Sequence, residues 1–258
     1  MDLLVEQSGS ALILTLNRPD KYNAVLNETL RDIACELDRA ASSEDIHSVI
    51  ITGAGKAFCS GGDVSTGTLT ETDVDIQEAM DQGINSILKK IEILKIPVIA
   101  AVNGITVGAG LGLALGADIT IAARSASFFP SFSRMGLSLD GGASHFFVKR
   151  AGMARAKAMC LLGEKISSEE AVSAGLIWKV VEDGDLMETA LRTAQTLAER
   201  APIALSLIKD QLAQASSNSL DQALEIESRY IAKAFATEDF QEGLAALQEK
   251  RRPEFKGK

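Results

Sequence analysis

Two short apolar segments, residues 48–52 and 97–102, each run directly into a part of the chain that is rich in glycine. The segments are too short for typical helices and contain several β-branched residues, so we predict that both are buried strands. Between them, residues 74–94 have the spacing of an amphipathic helix. Alternation of buried strands with helices is typical of a mostly parallel sheet covered by helices, so the chain is predicted to have an α/β fold.

The predicted elements change in kind toward the end of the chain. Residues 3–16 alternate around a Ser-Gly-Ser turn and predict a hairpin, and residues 119–122 predict a further strand. Beyond residue 185 only helices are predicted, at about residues 185–200, 203–215, 219–236 and 239–249. We therefore expect an α/β core over residues 1–185 and a helical C-terminal region over residues 186–258.

Composition and charge exclude several classes of protein. The formal net charge is −9, from 26 Lys and Arg against 35 Asp and Glu, which gives no basic footprint for nucleic acid over the whole chain. The longest apolar segment, residues 96–117, is interrupted by Asn103 and by several glycines, so no membrane span is predicted. The histidines are His47 and His145 alone, and no Cys-x-x-Cys pair occurs, so no metal site is expected.

The start of the chain and its cysteines indicate a reducing compartment. The first residues lack the positively charged segment and the long apolar segment of a signal peptide. The three cysteines are odd in number and form no close pair, so no disulfide framework is predicted. We therefore expect a cytoplasmic protein.

Two glycine-containing loops are the candidates for a catalytic site. The loop at residues 108–112 follows a predicted strand, but Leu113 breaks the Gly-x-Gly-x-x-Gly pattern of dinucleotide-binding loops. Small residues in this loop and in the predicted loop at residues 56–63 allow close backbone approach, so each loop could offer an N–H donor to one carbonyl oxygen. An oxyanion hole is one interpretation of these glycines, and tight turns with close helix packing are the other.

Several motifs, taken in order, resemble one family. They are Asn17-Arg18-Pro19 with Asn23-Ala24, residues 56–63 (KAFCSGGD), residues 97–104 (PVIAAVNG), Gly108-Ala109-Gly110 and the ending Phe255-Lys256. This series resembles the crotonase, or enoyl-CoA hydratase/isomerase, superfamily over essentially the whole chain. The resemblance implies a spiral of ββα units with a helical C-terminal region for trimerisation. It also implies an acyl-CoA thioester substrate, no cofactor apart from the CoA of that substrate, and a homotrimer or a dimer of trimers.

The resemblance assigns the two donors of an oxyanion hole. Members of the superfamily hold the thioester oxygen as an enolate between two backbone N–H groups, which fall on Gly62 and Ala109 in this chain. The hydratases of the superfamily use two glutamates to handle one water molecule, and Gly112 and Phe132 occupy those positions here. Because hydration requires a base for water and an acid for the α-carbon, the sequence does not favour the usual two-glutamate hydratase.

Asp140 is the candidate base. Residues 132–142 most resemble the ring-epoxide phenylacetyl-CoA isomerases, which also catalyse Δ3–Δ2 enoyl isomerisation, although Leu139 stands where proline is frequent. One base is enough for isomerisation, because Asp140 can remove a proton from one carbon and return it to another while Gly62 and Ala109 hold the enolate. The alternative role of Asp140 is to cap the helix predicted to begin near residue 142.

The remaining candidates bind the substrate. The resemblance implies that the CoA end and the thioester lie near Arg18, Lys21, Ala24, Lys56, Ser60 and Gly61. It adds Phe255 and Lys258, from this chain or from a neighbouring subunit. The lysines could equally belong to a solvated surface. The candidate walls of an acyl pocket, which ordinary core packing would also explain, are Phe128, Phe129, Phe132 and Met135.

The leading hypothesis is an enoyl-CoA isomerase, of the Δ3–Δ2 or the ring-epoxide type, with Asp140 as its acid and base. A hydratase or hydrolase with atypical residues is the second hypothesis, and it predicts oxygen from water in the product. A non-catalytic acyl-CoA-binding protein is the third, and it predicts binding of thioesters without turnover.

Overall fold

A computed structural model of the protein describes residues 1–63, 75–215 and 217–258. Within these residues a six-stranded sheet has the order β1-β2-β3-β5-β7-β10. Its strands are β1 (Leu3–Ser8), β2 (Ala11–Leu16), β3 (Ser48–Gly53), β5 (Val98–Val102), β7 (Ile119–Ala123) and β10 (Lys179–Val181). The β1–β2 pair is the predicted antiparallel hairpin, and every other pairing in this sheet is parallel.

A second, four-stranded sheet has the order β4-β6-β8-β9. Its strands are β4 (Ala57–Cys59), β6 (Ile105–Val107), β8 (Ser127–Phe129) and β9 (Ile166–Ser167). Strands β4, β6 and β8 pair in parallel, and each follows a strand of the larger sheet in the chain. The chain therefore winds through repeated strand–strand–helix units, which is the expected ββα spiral. The prediction of a plain loop over residues 56–63 is wrong at β4, because a three-residue strand shows no readable alternation.

The helices cover the two sheets and form the end of the chain. They are α1 (Asn27–Ser42), α2 (Ile76–Gln82), α3 (Ile84–Ile93), α4 (Ala109–Gly116), α5 (Ala143–Ala151), α6 (Met153–Leu162), α7 (Ser168–Ser173), α8 (Leu186–Ala198), α9 (Pro202–Ala215), α10 (Leu220–Phe235) and α11 (Glu238–Glu249). The single helix predicted over residues 74–94 is two helices, because the chain breaks at Gly83, and residue 74 lies outside the described residues.

Helix α4 is the most deeply buried helix in the part of the chain that the structure describes. All of its residues from Gly110 to Leu115 are buried, so both of its faces meet protein rather than solvent. Its N-terminus follows β6, and its C-terminus leads into β7. The helix therefore connects the two sheets through the core and brings its first residue, Ala109, to the end of the smaller sheet.

The C-terminal helices differ in how they join the core. Helix α8 packs on the six-stranded sheet through the buried residues Leu186, Thr189, Ala190 and Ala194. Helix α9 is held to the core by Lys209, whose ammonium group donates to Asp118 and to the carbonyl of Ile91. The division of the chain at residue 185 stays a prediction. No described helix combines the length and the apolar character needed to cross a lipid bilayer.

Candidate active site

The two glycine loops lie against each other. Strands β4 and β6 are parallel neighbours, so the loops that follow them leave the same edge of the smaller sheet. A Cβ placed on Gly61 would lie 3.6 Å from the Cα of Gly108 and 3.8 Å from the backbone nitrogen of Ala109. The structure therefore brings together the two segments that the sequence analysis selected for an oxyanion hole.

Within the described residues, the backbone N–H groups of Gly62 and Ala109 have no backbone acceptor and can donate to a ligand. Gly62 forms a parallel bridge with Val25, in which Val25 donates to the carbonyl of Gly61 and accepts from the N–H of Asp63. The N–H of Gly62 therefore points away from Val25, and Gly62 is exposed. Ala109 is the first residue of α4, so its N–H has no acceptor within the helix and lies at the positive end of the helix dipole. Two such donors can stabilise negative charge on one oxygen.

The segment that carries Asp140 lies beside Ala109. The next residue, Gly141, packs on the start of α4, since a Cβ placed on Gly141 would lie 3.7 Å from the Cα of Ala109 and 3.9 Å from the carbonyl oxygen of Gly108. The Oδ1 atom of Asp140 is buried and has no hydrogen-bond partner among the described residues. Burial raises the pKa of this carboxyl group above its ordinary value. A half-buried carboxyl group with one buried, unpartnered oxygen, in a segment that packs on the start of α4, is suited to proton transfer.

The alternative role of Asp140 as a helix cap is wrong. The residue that caps α5 is Gly142, and no side chain makes a capping hydrogen bond there. Asp140 contributes to this turn only its backbone carbonyl, which accepts from the N–H of Ala143 at 2.9 Å. Its carboxyl group is therefore not used by the helix.

The two positions that the family resemblance aligns with the glutamates of the hydratases, Gly112 and Phe132, carry no acid, and at Gly112 the backbone leaves no room for one. A Cβ placed on Gly112 would lie 2.5 Å from the carbonyl oxygen of Gly141, so a side chain there would collide with the backbone. Phe132 is buried in the hydrophobic core, with 5% of its surface exposed. The nearby carboxylate of Asp63 contacts the guanidinium of Arg18 at 2.8 Å. No group of three metal-ligating side chains occurs among the described residues.

Several of the predicted substrate-binding residues surround the oxyanion loop. Arg18 contacts Asp63 and also donates to the carbonyl of Ala24, so its guanidinium supports the loop from the first hairpin. Ser60 donates through its hydroxyl group to the carbonyl of Lys21. Gly61 accepts from Val25 in the same cluster. Lys56 is exposed and precedes β4, so it lies at the opposite end of that strand from Ser60.

The predicted contribution of the C-terminal tail is not brought to this cluster within the described chain. The carbonyl of Lys258 accepts from the N–H of Glu238, and Phe255 lies against Gly243 of α11. The tail is thus fixed on its own helix. A role for Phe255 and Lys258 in binding CoA stays a prediction.

The four candidate wall residues of the acyl pocket separate into two groups. Phe128 and Phe132 are buried in the core, whereas Phe129 is half-buried and Met135 is 61% exposed. The sequence analysis missed the packing role of Gly112, where the lack of a side chain lets the carbonyl group of Gly141 approach α4. Gly112 lies four residues after Gly108, a spacing that was readable from the sequence.

Comparison with known proteins agrees with this geometry. A family model described as enoyl-CoA hydratase/isomerase matches residues 6–258. A 1,2-epoxyphenylacetyl-CoA isomerase of Escherichia coli (strain K12) is 39% identical over 258 residues, which are 99% of this chain and 98% of that protein. A probable enoyl-CoA hydratase of Rhodobacter capsulatus is 37% identical, over 98% of this chain and 97% of that protein.

Solved structures show the same fold. An enoyl-CoA hydratase from Bacillus anthracis superposes with a TM-score of 0.95 at 31% identity, and the match covers 100% of each chain. An enoyl-CoA hydratase from Polaromonas sp. JS666 gives a TM-score of 0.91 at 37% identity, over 98% of this chain and 99% of that one. The paired glycine loops, the spiral of ββα units and these matches along the whole chain show that the protein belongs to the enoyl-CoA hydratase/isomerase family.

Proposed function

We propose that the protein is an enoyl-CoA isomerase, of the Δ3–Δ2 or the ring-epoxide type, that works with Asp140 as its single acid and base. The observation that carries the proposal is the buried Oδ1 of Asp140, which has no partner among the described residues and belongs to a segment whose next residue, Gly141, packs on the start of α4 beside Ala109. Gly112 and Phe132 supply no carboxylate, so the arrangement favours a reaction that needs one base rather than two.

The Δ3–Δ2 reaction illustrates the roles of the three groups. The thioester oxygen accepts hydrogen bonds from the N–H groups of Gly62 and Ala109. The carboxylate of Asp140 removes a proton from C2, the C1–C2 bond gains double-bond character, and the charge moves to the thioester oxygen. Protonated Asp140 then returns the proton to C4, the double bond moves from C3–C4 to C2–C3, and the carbonyl re-forms. No water, metal or redox cofactor takes part, and CoA enters as part of the substrate.

The environment of Asp140 matches both halves of this cycle. A carboxyl group with an ordinary pKa would hold a proton too weakly to return it to carbon efficiently at neutral pH. Burial raises the pKa of Asp140, which brings its proton affinity closer to that of the enolate carbon. The oxyanion donors act on the substrate, because they stabilise the enolate that forms when Asp140 removes the proton.

The test compares two substrates on the purified protein. We expect a 3-enoyl-CoA to become a 2-enoyl-CoA of the same mass, identified by its conjugated thioester absorbance and its chromatographic retention. Crotonyl-CoA is expected to remain unchanged. The Asp140→Asn variant should bind the same thioesters without moving the double bond, and retained turnover in that variant would contradict the proposal.

A hydratase is the second candidate, because several similar proteins carry that name, including those of Rhodobacter capsulatus and Bacillus anthracis. In the same experiment it predicts a product of crotonyl-CoA heavier by one water. Binding of both thioesters without any turnover would instead support a non-catalytic acyl-CoA-binding protein. Either result would overturn the isomerase assignment.

We further propose a homotrimer or a dimer of trimers in which Lys21, Lys56, Phe255 and Lys258 help to bind CoA. Exposed apolar side chains on the C-terminal helices support an assembly, namely Ile208, Leu212, Leu220, Leu224, Ile231, Phe235, Leu244 and Leu247. Light scattering after gel filtration tests the oligomer. Lys258→Ala should raise KM for a CoA thioester but not for the matching pantetheine thioester, which lacks the nucleotide.

We also propose a cytoplasmic location. Cys35, Cys59 and Cys160 are all free thiols, which fits a reducing compartment. Fractionation of the source cells with detection of the native protein tests the location, and recovery outside the cytoplasm would contradict it.

A further inference from the structure

Gly112 and Gly141 form a backbone contact at the centre of the candidate site. A Cβ placed on Gly112 would lie 2.5 Å from the carbonyl oxygen of Gly141, 3.3 Å from its carbonyl carbon and 3.5 Å from its Cα. All three neighbours are backbone atoms, so they cannot rotate away as the end of a side chain can. Any side chain at residue 112 therefore requires the chain at Gly141 to move.

The segment that would have to move carries Asp140. Gly141 adopts a φ of +51° and Gly142 a φ of +73°, which are left-handed conformations that other residues adopt with strain. This turn places Gly141 next to Ala109 and leaves Asp140 one residue before the contact. The position of Asp140 relative to Ala109 therefore depends on how closely Gly141 approaches α4.

We propose, resting on the function above, that Gly112 is a positioning residue that determines the reaction. Because Gly112 has no side chain, Gly141 can approach α4, and this contact fixes the position of Asp140 relative to the N–H groups of Gly62 and Ala109. The Asp140–Gly142 turn occupies the space that a side chain on residue 112 needs. A carboxylate on residue 112 is therefore incompatible with the position that Asp140 has in this structure. Packing, as well as residue identity, therefore leaves Asp140 as the base and excludes a second one at residue 112.

Gly116 provides a matched control on the same face of the same helix. A Cβ placed on Gly116 would lie 2.6 Å from Cδ2 of Leu88 and 3.3 Å from Cζ of Phe146. These are the ends of side chains, which can rotate, whereas the neighbours of a Cβ on Gly112 are backbone atoms. The same two side chains also lie 2.7 Å (Phe146) and 3.3 Å (Leu88) from a Cβ placed on Gly142. Gly116→Ala therefore reaches the turn only through movable side chains. Alanine has the same helix preference at both positions, so the two substitutions differ in the group that they displace.

The experiment measures kcat and KM for double-bond migration, acyl-CoA affinity and Tm in Gly112→Ala and Gly116→Ala. For Gly112→Ala we expect kcat to fall about 10- to 100-fold, because a small displacement of a catalytic group is costly, while acyl-CoA affinity is kept. For Gly116→Ala we expect kcat to be kept, whatever its effect on Tm. Equal loss of kcat in both variants, or none in Gly112→Ala, would overturn the inference.

Two further variants keep the test decisive. Gly141→Ala disturbs the same contact from its other side: the added methyl group meets nothing closer than 3.6 Å, but its φ of +51° is strained, so kcat should again fall more than affinity. This variant decides the question if Gly112→Ala fails to fold. Gly112→Glu should catalyse neither isomerisation nor hydration of crotonyl-CoA. Hydration gained with isomerisation retained would show that both carboxylates fit, and would overturn the inference.

Failure of the proposed function gives a different pattern. A wild-type protein that moves no double bond overturns the isomerase and the inference with it. A wild-type protein that isomerises 3-enoyl-CoA, with full kcat in both Gly112→Ala and Gly141→Ala, overturns the inference alone.

Discussion

Two aspartates near the two ends of helix α4 share a raised pKa but differ in their hydrogen-bond partners. Asp118, just beyond the C-terminal end, and Asp140, beside the N-terminal end, both have a pKa raised by burial. Asp118 accepts hydrogen bonds from the N–H of Val98 and from the ammonium group of Lys209, each at 2.7 Å. The Oδ1 of Asp140 has no partner among the described residues. Burial alone therefore does not distinguish a reactive carboxyl group from a structural one, whereas the supply of partners does.

The partners of Asp118 explain its structural character. Lys209 also donates to the carbonyl groups of Ile91 and Ile96, so this one ammonium group joins α9 to the end of α3 and to the segment before β5. The carboxylate of Asp118 forms an ion pair with this ammonium group. Next to Asp140, the atoms closest to a Cβ placed on Gly141 are a side-chain carbon of Ile84 and backbone atoms at the start of α4, none of them a charged group. A group left unsatisfied in this way costs stability and is typical of functional sites.

Substitution of Asp140 should give the largest effect on catalysis. Asp140→Asn keeps the size of the side chain and removes its ability to carry a proton between carbons, so kcat should fall by about 10²- to 10⁴-fold. Affinity for acyl-CoA should be kept, because the proposed oxyanion donors are the backbone N–H groups of Gly62 and Ala109. Turnover assays and calorimetric titration with a product thioester measure the two quantities. Asp118→Ala is the control, and an equal loss of kcat in that variant would remove the contrast between the two aspartates.

Substitution of Asp118 should give the largest effect on stability. Asp118→Ala leaves the Val98 N–H and the Lys209 ammonium group without their carboxylate, which should lower the free energy of unfolding by about 2 to 4 kcal/mol. Chemical denaturation measures this change. The double variant Asp118→Ala with Lys209→Met should recover part of the loss, because the unpaired charge is removed as well. Unchanged stability in Asp118→Ala would show that the ion pair is replaceable.

The pH dependence of kcat/KM should identify which aspartate titrates in catalysis. As a base, Asp140 must be ionised, so kcat/KM should fall as the pH is lowered through its pKa. Because burial raises that pKa above the ordinary 3.8, the acid limb should lie at a higher pH than an ordinary aspartate would give. The limb should stay in place in Asp118→Ala. A limb at the ordinary carboxyl pKa would contradict the buried setting of Asp140.

The smallest expected effect is a gain of stability in Asp140→Asn at neutral pH. A raised pKa means that the folded protein binds this proton more tightly than the unfolded chain, so the ionised carboxylate destabilises the fold above its folded-state pKa. As the pH falls through that pKa the carboxyl group protonates and the destabilisation is lost. The Tm of Asp140→Asn should therefore exceed that of the wild type at pH 7, and the gap should narrow toward acidic pH. A gap that widens instead would mean that Asp140 has a stabilising partner.

Long periodic elements of the fold were predictable from sequence, and short ones were not. The hairpin, β3, β5, β7 and the C-terminal helices were predicted to within a few residues, because each buries a regular apolar pattern. The four-stranded sheet was missed, since none of its strands is longer than three residues. Those strands form because they pair with neighbours far along the chain, which a local pattern cannot show.

The candidate site divides in a similar way. The family resemblance led to Gly62, Ala109 and Asp140, and the structure brings their segments together. The absence of a partner for Asp140 was not predictable, because Asp-Gly-Gly is also a common start of a helix and only the folded chain shows Gly142 in the capping position. The contact between Gly112 and Gly141 likewise depends on how two distant segments meet.

The absence of a side chain at the buried Gly112 also bears on how such enzymes diverge. Codons for glycine and glutamate can differ by a single base, so the residue that hydratases use is one mutation away at this position. That mutation alone would push a side chain into the Gly141 carbonyl, 2.5 Å from where its Cβ must lie. With the roles proposed for Gly112 and Asp140, the intermediate would lose one activity before it gained the other, so a lineage moving between the two reactions would rebuild the Asp140–Gly142 turn first. Reaction type in such a lineage should then change in jumps that involve both segments, rather than residue by residue.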